Sequence, residues 1–216
     1  MKFRTARACA ALLCVSALGA ALSACAPILL GGVAMGALVA TDRRTSGAQL
    51  EDEGIELRAA GRIRENLGER AHVNVTSYNR QVLLTGEVPS AQDRQLAEQV
   101  VARVENVRSI VNELAVLGNS TLTQRASDAL TTGKVKAAMV DSKDLFANAF
   151  KVVTERGTTY LMGRVTQREA NRATEITRGT GGVQKVVRVL EIISEDELQR
   201  TLPSSPPPAP AAPPKT

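Results

Sequence analysis

Residues able to do chemistry are few and scattered along this chain. It has one histidine, His72, and three cysteines, Cys9, Cys14 and Cys25. A lone histidine excludes a multi-histidine metal site and makes histidine-based catalysis a poor fit. His72 precedes a strand-like stretch, where a solvated or capping role is expected. "TGKV" (132–135) holds a Gly-Lys pair but lacks the following Ser/Thr and the upstream glycine of a phosphate-binding loop. "GTGG" (179–182) reads as a turn before a strand. The carboxylates are spread along helical stretches, as solvated faces usually are. No nucleophile–base set is visible, so the chain reads as a non-enzyme with no catalytic residue, no metal ligand set and no cofactor.

The informative reactive residue is Cys25. Lys2, Arg4 and Arg7 form a positive segment, followed by "ACAALLCVSALGAA" (8–21), an apolar run too short to span a bilayer well. "LSAC" (22–25) then ends on Cys25. A Leu, two small residues and a Cys after such a run resemble the bacterial lipobox. That resemblance implies a signal peptide over 1–24, cleavage before Cys25 and lipidation of that cysteine. An uncleaved anchor over 8–40 is the alternative. Pro27, Gly31, Gly32 and Gly36 interrupt it, and the lipobox sits in its middle. Cleavage would remove Cys9 and Cys14, leaving no disulfide despite an oxidising compartment.

Charge must then be read on the remainder. The precursor carries +5, of which residues 1–24 supply three positives and no negatives. A nucleic-acid partner loses most of its support once that segment is gone. Aromatic residues make up only 2% of the chain and Trp is absent, so any core must be built from Val, Leu, Ile and Ala.

The elements that would position these residues come in two copies. "VLLTGEV" (82–88) and "TYLMGRV" (159–165) align on Gly86 and Gly163. At that register Val75 meets Val152, Leu84 meets Leu161 and Val88 meets Val165. One residue is lost in the following helix, after which Val107 meets Val183, Ile110 meets Val186 and Leu114 meets Leu190. Each block begins with an amphipathic helix; in the first, Ala59, Ala60, Ile63 and Leu67 share a face. Two alternating strands follow, joined by tight turns at Asn79-Arg80 and Arg156-Gly157. A second helix and a last strand, at 107–116 or 183–193, complete an α-β-β-α-β order. The expected fold is α+β: two tandem modules, each a three-stranded mixed sheet with two helices on one face. The expected parts are a lipidated N-terminus and tether over 25–50, a first domain over 51–117, a second over 120–194 and a proline-rich disordered tail over 195–216. Gly86 and Gly163 are read as structural glycines, where a bulge or close packing leaves no room for a side chain.

The glycine-centred strands, each followed by a charged helix and a strand such as "VQKVVRVL" (183–190), look like the BON domain. Two of them behind a lipobox, with "ATDRRTSGAQLEDEGIELR" (40–58), resemble the dual-BON outer-membrane lipoprotein family. The resemblance covers roughly residues 22–193. It implies periplasmic modules that associate with phospholipid and support envelope integrity. Ala26, where an Asp would favour inner-membrane retention in such lipoproteins, points to the periplasmic face of the outer membrane.

The two blocks differ in charge. Residues 51–118 hold eight basic and eleven acidic side chains, whereas 120–194 hold twelve and seven. The second block is therefore the one expected to seek anionic headgroups, at about 1 kcal/mol per Lys or Arg near the surface. In its first helix Leu122, Ala126, Leu130, Gly133 and Ala137 share a face expected to pack on the sheet. Val135 and Met139 then point outward, flanked by Lys134, Lys136 and Lys143. Apolar residues among lysines suit shallow insertion, which makes these five the candidate lipid-binding residues. Packing of Val135 and Met139 on the other block, or isolated exposure, are the alternatives. No aromatic residue lies in this helix, and Phe146 and Phe150 are the nearest substitutes. The partner expected is an anionic phospholipid membrane. The competing reading is an adaptor for an envelope machine such as outer-membrane protein assembly.

Overall fold

The computed structural model describes residues 42–201; the expected signal peptide, Cys25, most of the tether and the proline-rich stretch lie outside them. The first module opens with α1 (Ser46–Leu67), whose N-cap Thr45 accepts the Ala48 amide. Buried residues at 52, 55, 59, 63 and 67 recur every three or four positions along it. β1 (His72–Tyr78) and β2 (Gln81–Val88) form an antiparallel hairpin with Val75 opposite Leu84. Both turn residues, Asn79 and Arg80, have positive φ, as the two-residue turns that match strand twist require. After α2 (Ala91–Ala102), capped by Ser90, the chain runs parallel to β2 as β3 (Ser109–Asn112) and β4 (Ala115–Val116). The single last strand expected over 107–116 is thus broken at Glu113 and Leu114, where Leu114 turns into the core.

The second module repeats this order. α3 (Leu122–Asp141) leads to β5 (Phe150–Glu155) and β6 (Thr158–Thr166), paired antiparallel with Val152 opposite Leu161. The intervening Arg156 and Gly157 again both have positive φ. α4 (Gln167–Gly179) starts in a capping box between Thr166 and Glu169, and β7 (Lys185–Ile193) runs parallel to β6 over nine residues. Each module has one mixed sheet with the hairpin's second strand at its centre, β1-β2-β3 with β4 also on β2 in the first and β5-β6-β7 in the second, and both helices lie on one face.

Each sheet has two apolar faces. In β2, Val82, Leu84 and Val88 face α1 and α2 together with Ile55, Ala59, Ile63, Ala97 and Val101. In β6, Leu161 and Val165 face a corresponding core. The residues between them point the other way. Tyr78 and Leu83 of one sheet meet Tyr160, Met162 and Val189 of the other in a third buried cluster. The two modules are therefore joined sheet to sheet, helices outward.

Two boundaries move. The tether expected to run to residue 50 ends earlier: α1 begins at Ser46, and Asp42–Arg44 are docked by side-chain contacts. The tail expected from 195 begins with α5 (Glu195–Thr201), whose Leu198 is buried.

The repeated glycines have a geometric cause. A Cβ at Gly86 would lie 2.1 Å from the His72 carbonyl oxygen, and Gly86 also has φ +111°. A Cβ at Gly163 would lie 2.5 Å from the Ala149 carbonyl oxygen. The backbone of β1 occupies the space in the first module, and that of the residue just before β5 in the second. Gly86→Ala and Gly163→Ala should each cost about 1–3 kcal/mol in urea unfolding, the usual penalty for overpacking, with Gly86→Ala the worse. Gly61→Ala, in α1 with open space around it, should instead stabilise by about 0.5–1 kcal/mol.

Candidate functional site

α3 carries the surface that the charge pattern singles out, but its faces are inverted relative to the sequence expectation. Thr121 and Gln124 form a capping box at its start. Its buried face is Asp128, Thr131, Val135 and Met139. Val135 and Met139 are fully enclosed against Leu161, Val165, Ala170 and Ala173. They are core residues, not lipid contacts. The register of the repeat explains this: Ala59 and Ile63 of α1 correspond to Val135 and Met139, and both pairs face their own sheet. Leu122, Ala126, Leu130, Gly133 and Ala137, expected on the sheet, are exposed instead.

The outward face is consequently more apolar than expected. Leu130 and Val140 are each 68% exposed and Leu122 81%. At about 100° per residue they form one stripe with Ala126, Gly133 and Ala137, directly opposite the buried face. Lys134 and Lys136 border it on either side and are exposed, as is Lys143 just beyond the helix. Phe146, in the loop that follows, is 52% exposed, whereas Phe150 is buried in the module core.

A second group of charged residues ties the body together. Arg43 makes a two-pronged pair with Glu169, Nη1 to Oε2 at 2.8 Å and Nη2 to Oε1 at 2.6 Å, and also donates to the Arg164 carbonyl. Both side chains are almost wholly buried. Glu169 also accepts the Thr166 amide at 2.9 Å. Burial works to raise its pKa, but the Arg43 guanidinium and the Thr166 amide hold it below the ordinary value. Arg44 pairs with Asp42 and Asp52 at 2.8 Å each and lies 4.4 Å from the centre of the Tyr78 ring. The residues just before α1 thus strap the first module onto the second.

Along the seam, Lys151 reaches Glu56 at 2.6 Å, Arg108 reaches Glu191 at 3.3 Å, and Asn79 donates to Glu191 at 2.8 Å. Glu87 is fully buried there. It receives Arg156 at 3.3 Å, the Ser120 amide at 3.2 Å and the Ser120 hydroxyl at 3.1 Å, while His72 Nδ1 lies 3.0 Å away. His72, expected to be solvated or capping, instead lies beside Glu87 of its own hairpin, with the Ser120 hydroxyl 3.5 Å from the same ring nitrogen. Burial pushes the Glu87 carboxyl upward, and these donors outweigh it and hold the pKa down. His72, Glu87 and Glu155 bring three potential ligand atoms within 4.8 Å of one another. Glu87 is already saturated by its donors and Glu155 accepts from Asn74, so the group serves as a polar seam.

Two α-β-β-α-β modules in tandem, seamed through their sheets and presenting helices outward, define a double-module scaffold. The chain belongs to the BON domain family, whose model matches residues 52–118 and again 127–194. It is 36% identical over 174 residues to the outer membrane lipoprotein DolP of Haemophilus influenzae, spanning 80% of this chain and 90% of that protein. It is 32% identical over 154 residues to a 21 kDa hemolysin of Actinobacillus pleuropneumoniae, spanning 70% of this chain and 79% of that one. The chain is an outer-membrane lipoprotein with tandem BON domains and an envelope-associated role.

Several structural residues escaped the sequence reading. Asp52 and Asp128 occupy equivalent helix positions, and each carboxylate accepts the two backbone amides of the following hairpin turn. Their spacings from the first turn residue, 27 and 28 positions, differ by only one, but a buried acid in a polar stretch looks like a solvated one. Arg43 and Glu169 are 126 positions apart, with no local signal. Arg43→Ala leaves Glu169 buried without its cation and should cost about 3–5 kcal/mol near neutral pH. Because the folded pKa of Glu169 lies below the ordinary 4.5, the contribution is full above that value and is lost as pH falls below it. Thermal unfolding of the wild type and Arg43→Ala should converge on acidification through that range.

Proposed function

We propose that this protein docks on anionic phospholipid at the periplasmic face of the outer membrane through the outward stripe of α3, with Cys25 as its lipidated anchor. The observation that carries the reading is the exposed run Leu122, Leu130 and Val140, bordered by Lys134 and Lys136, on the basic module. Exposed apolar patches of this kind rimmed by charge mark interaction sites. A headgroup layer satisfies both parts: the leucines and valine enter the acyl boundary while the lysines remain among phosphates. Lys143 and Phe146 extend the same chemistry past the end of the helix. Gly133 and Ala137 keep the centre of the stripe low, so that Leu130 and Val140 protrude. One acyl chain holds a protein only marginally, and a second attachment makes anchoring durable. The helix also orients the body, with the first module directed away for other contacts. Envelope support then follows from a scaffold held flat against the inner leaflet.

The test is vesicle co-flotation of a soluble form lacking residues 1–41, a deletion that leaves every described contact in place. Phosphatidylglycerol-containing vesicles should carry it and purely zwitterionic ones should not, with binding weakened by salt. Leu130→Asp combined with Val140→Asp should lower binding about tenfold or more, from the loss of two buried apolar side chains, without shifting the melting midpoint. Met139→Glu should unfold the module instead. Undiminished flotation of the folded double variant would exclude this face.

A further inference from the structure

The two modules differ in what surrounds Asp52 and its counterpart Asp128. In the first module Asp52 has four partners. Oδ1 accepts the Arg80 amide at 2.8 Å and the Ser77 hydroxyl at 2.6 Å, while Oδ2 accepts the Asn79 amide and the Arg44 guanidinium, both at 2.8 Å. In the second module Asp128 keeps only the two turn amides, Arg156 at 2.8 Å and Gly157 at 3.0 Å. Ser77 is replaced by Thr154, whose hydroxyl pairs with Thr159. Arg44 is replaced by Ser120, whose side chain turns to Glu87. Asp128 is 8% exposed, and among the described residues no cation pairs with it.

The surface beside Asp128 is open. In the first module Asn106 donates to Glu51 at 3.1 Å, and Arg80 donates to the Asn106 carbonyl at 2.8 Å, which closes the surface above Asp52. The equivalent positions in the second module are Ser127 for Glu51, Gly157 for Arg80 and Gly182 for Asn106. The result is a cavity of about 380 Å³ with Asp128 in its wall, alongside Ser127, Thr131, Gly182 and Gln184. Gly182 is held open by geometry: it has φ +105°, and a Cβ there would lie 2.5 Å from the Thr131 hydroxyl. Of the surrounding residues only Arg156 is cationic, and its guanidinium is turned to Glu87. The same helix that offers its apolar stripe outward thus offers a nearly buried acid on its opposite flank.

We propose that this cavity receives the guanidinium of an arginine presented by a partner protein, with Asp128 pairing to it as Asp52 pairs to Arg44. Within this chain, Arg44 shows the pairing that a carboxylate at this position makes. A planar fork with several donors can bond the free side of a carboxylate while its remaining N–H groups meet Ser127, Thr131 and Gln184, which a compact ammonium cannot do as well. This site does not depend on the lipid-docking face.

The experiment is amide-resolved NMR of the form lacking residues 1–41, titrated with N-acetyl-arginine methylamide. The Arg156 and Gly157 amides report directly, because both donate to Asp128. Saturable shifts at these two and at Gly182 are expected, with little change from the neutral citrulline analogue. Asp128→Asn should abolish them. Ser127→Trp, which fills the cavity from an exposed position and leaves the carboxylate intact, should abolish them too. Absence of shifts in the wild type, equal shifts with citrulline, equal shifts with magnesium chloride, or binding that survives in both folded variants would each overturn the proposal.

Discussion

Everything in this protein depends on two sheets that each have a second apolar face. A strand alternates its side chains, so a helix-covered sheet usually leaves polar residues on the far side. Here Tyr78 and Leu83 occupy that far side in one module and Tyr160, Met162 and Val189 in the other. Neither face is stable in water, and each finds its cover in the other copy. Once the sheets meet, all four long helices are forced outward. The outward face of α3 is therefore exposed as a consequence of the seam, with Leu130 and Val140 each 68% exposed.

Charge divergence between the copies serves the same seam. Acids of the first module, Glu56 and Glu87, meet cations of the second, Lys151 and Arg156. Arg43, ahead of the first helix, crosses to Glu169 in the second module. Buried pairs of this kind add little net stability but are costly to break, so they fix which surfaces meet.

The repeat was legible because its register rests on few residues with strong constraints: the glycine pressed against a neighbouring carbonyl, the two-residue turn and the valine–leucine alternation. The orientation of α3 was misread for a physical reason. Its largest exposed residues, Leu122 and Leu130, suggested a core face by bulk, whereas the true core face mixes Asp128 and Thr131 with Val135 and Met139. Carrying the pattern of Ala59 and Ile63 across the repeat would have corrected it. The strap and the seam left no local trace, since Arg43 and Glu169, or Lys151 and Glu56, meet only after both modules fold. The same holds for Asp52 and Asp128, whose burial depends on turns more than twenty residues away.

The central claim is that α3 meets the membrane with its Leu130–Val140 stripe. It is tested most directly by paramagnetic broadening of backbone amide signals on nitroxide-doped, phosphatidylglycerol-containing nanodiscs. The account predicts that signals from 130, 133, 137 and 140 broaden first, while those of β2, β6 and α1 persist. Broadening centred on α1 or α2, or spread evenly over the body, would contradict it.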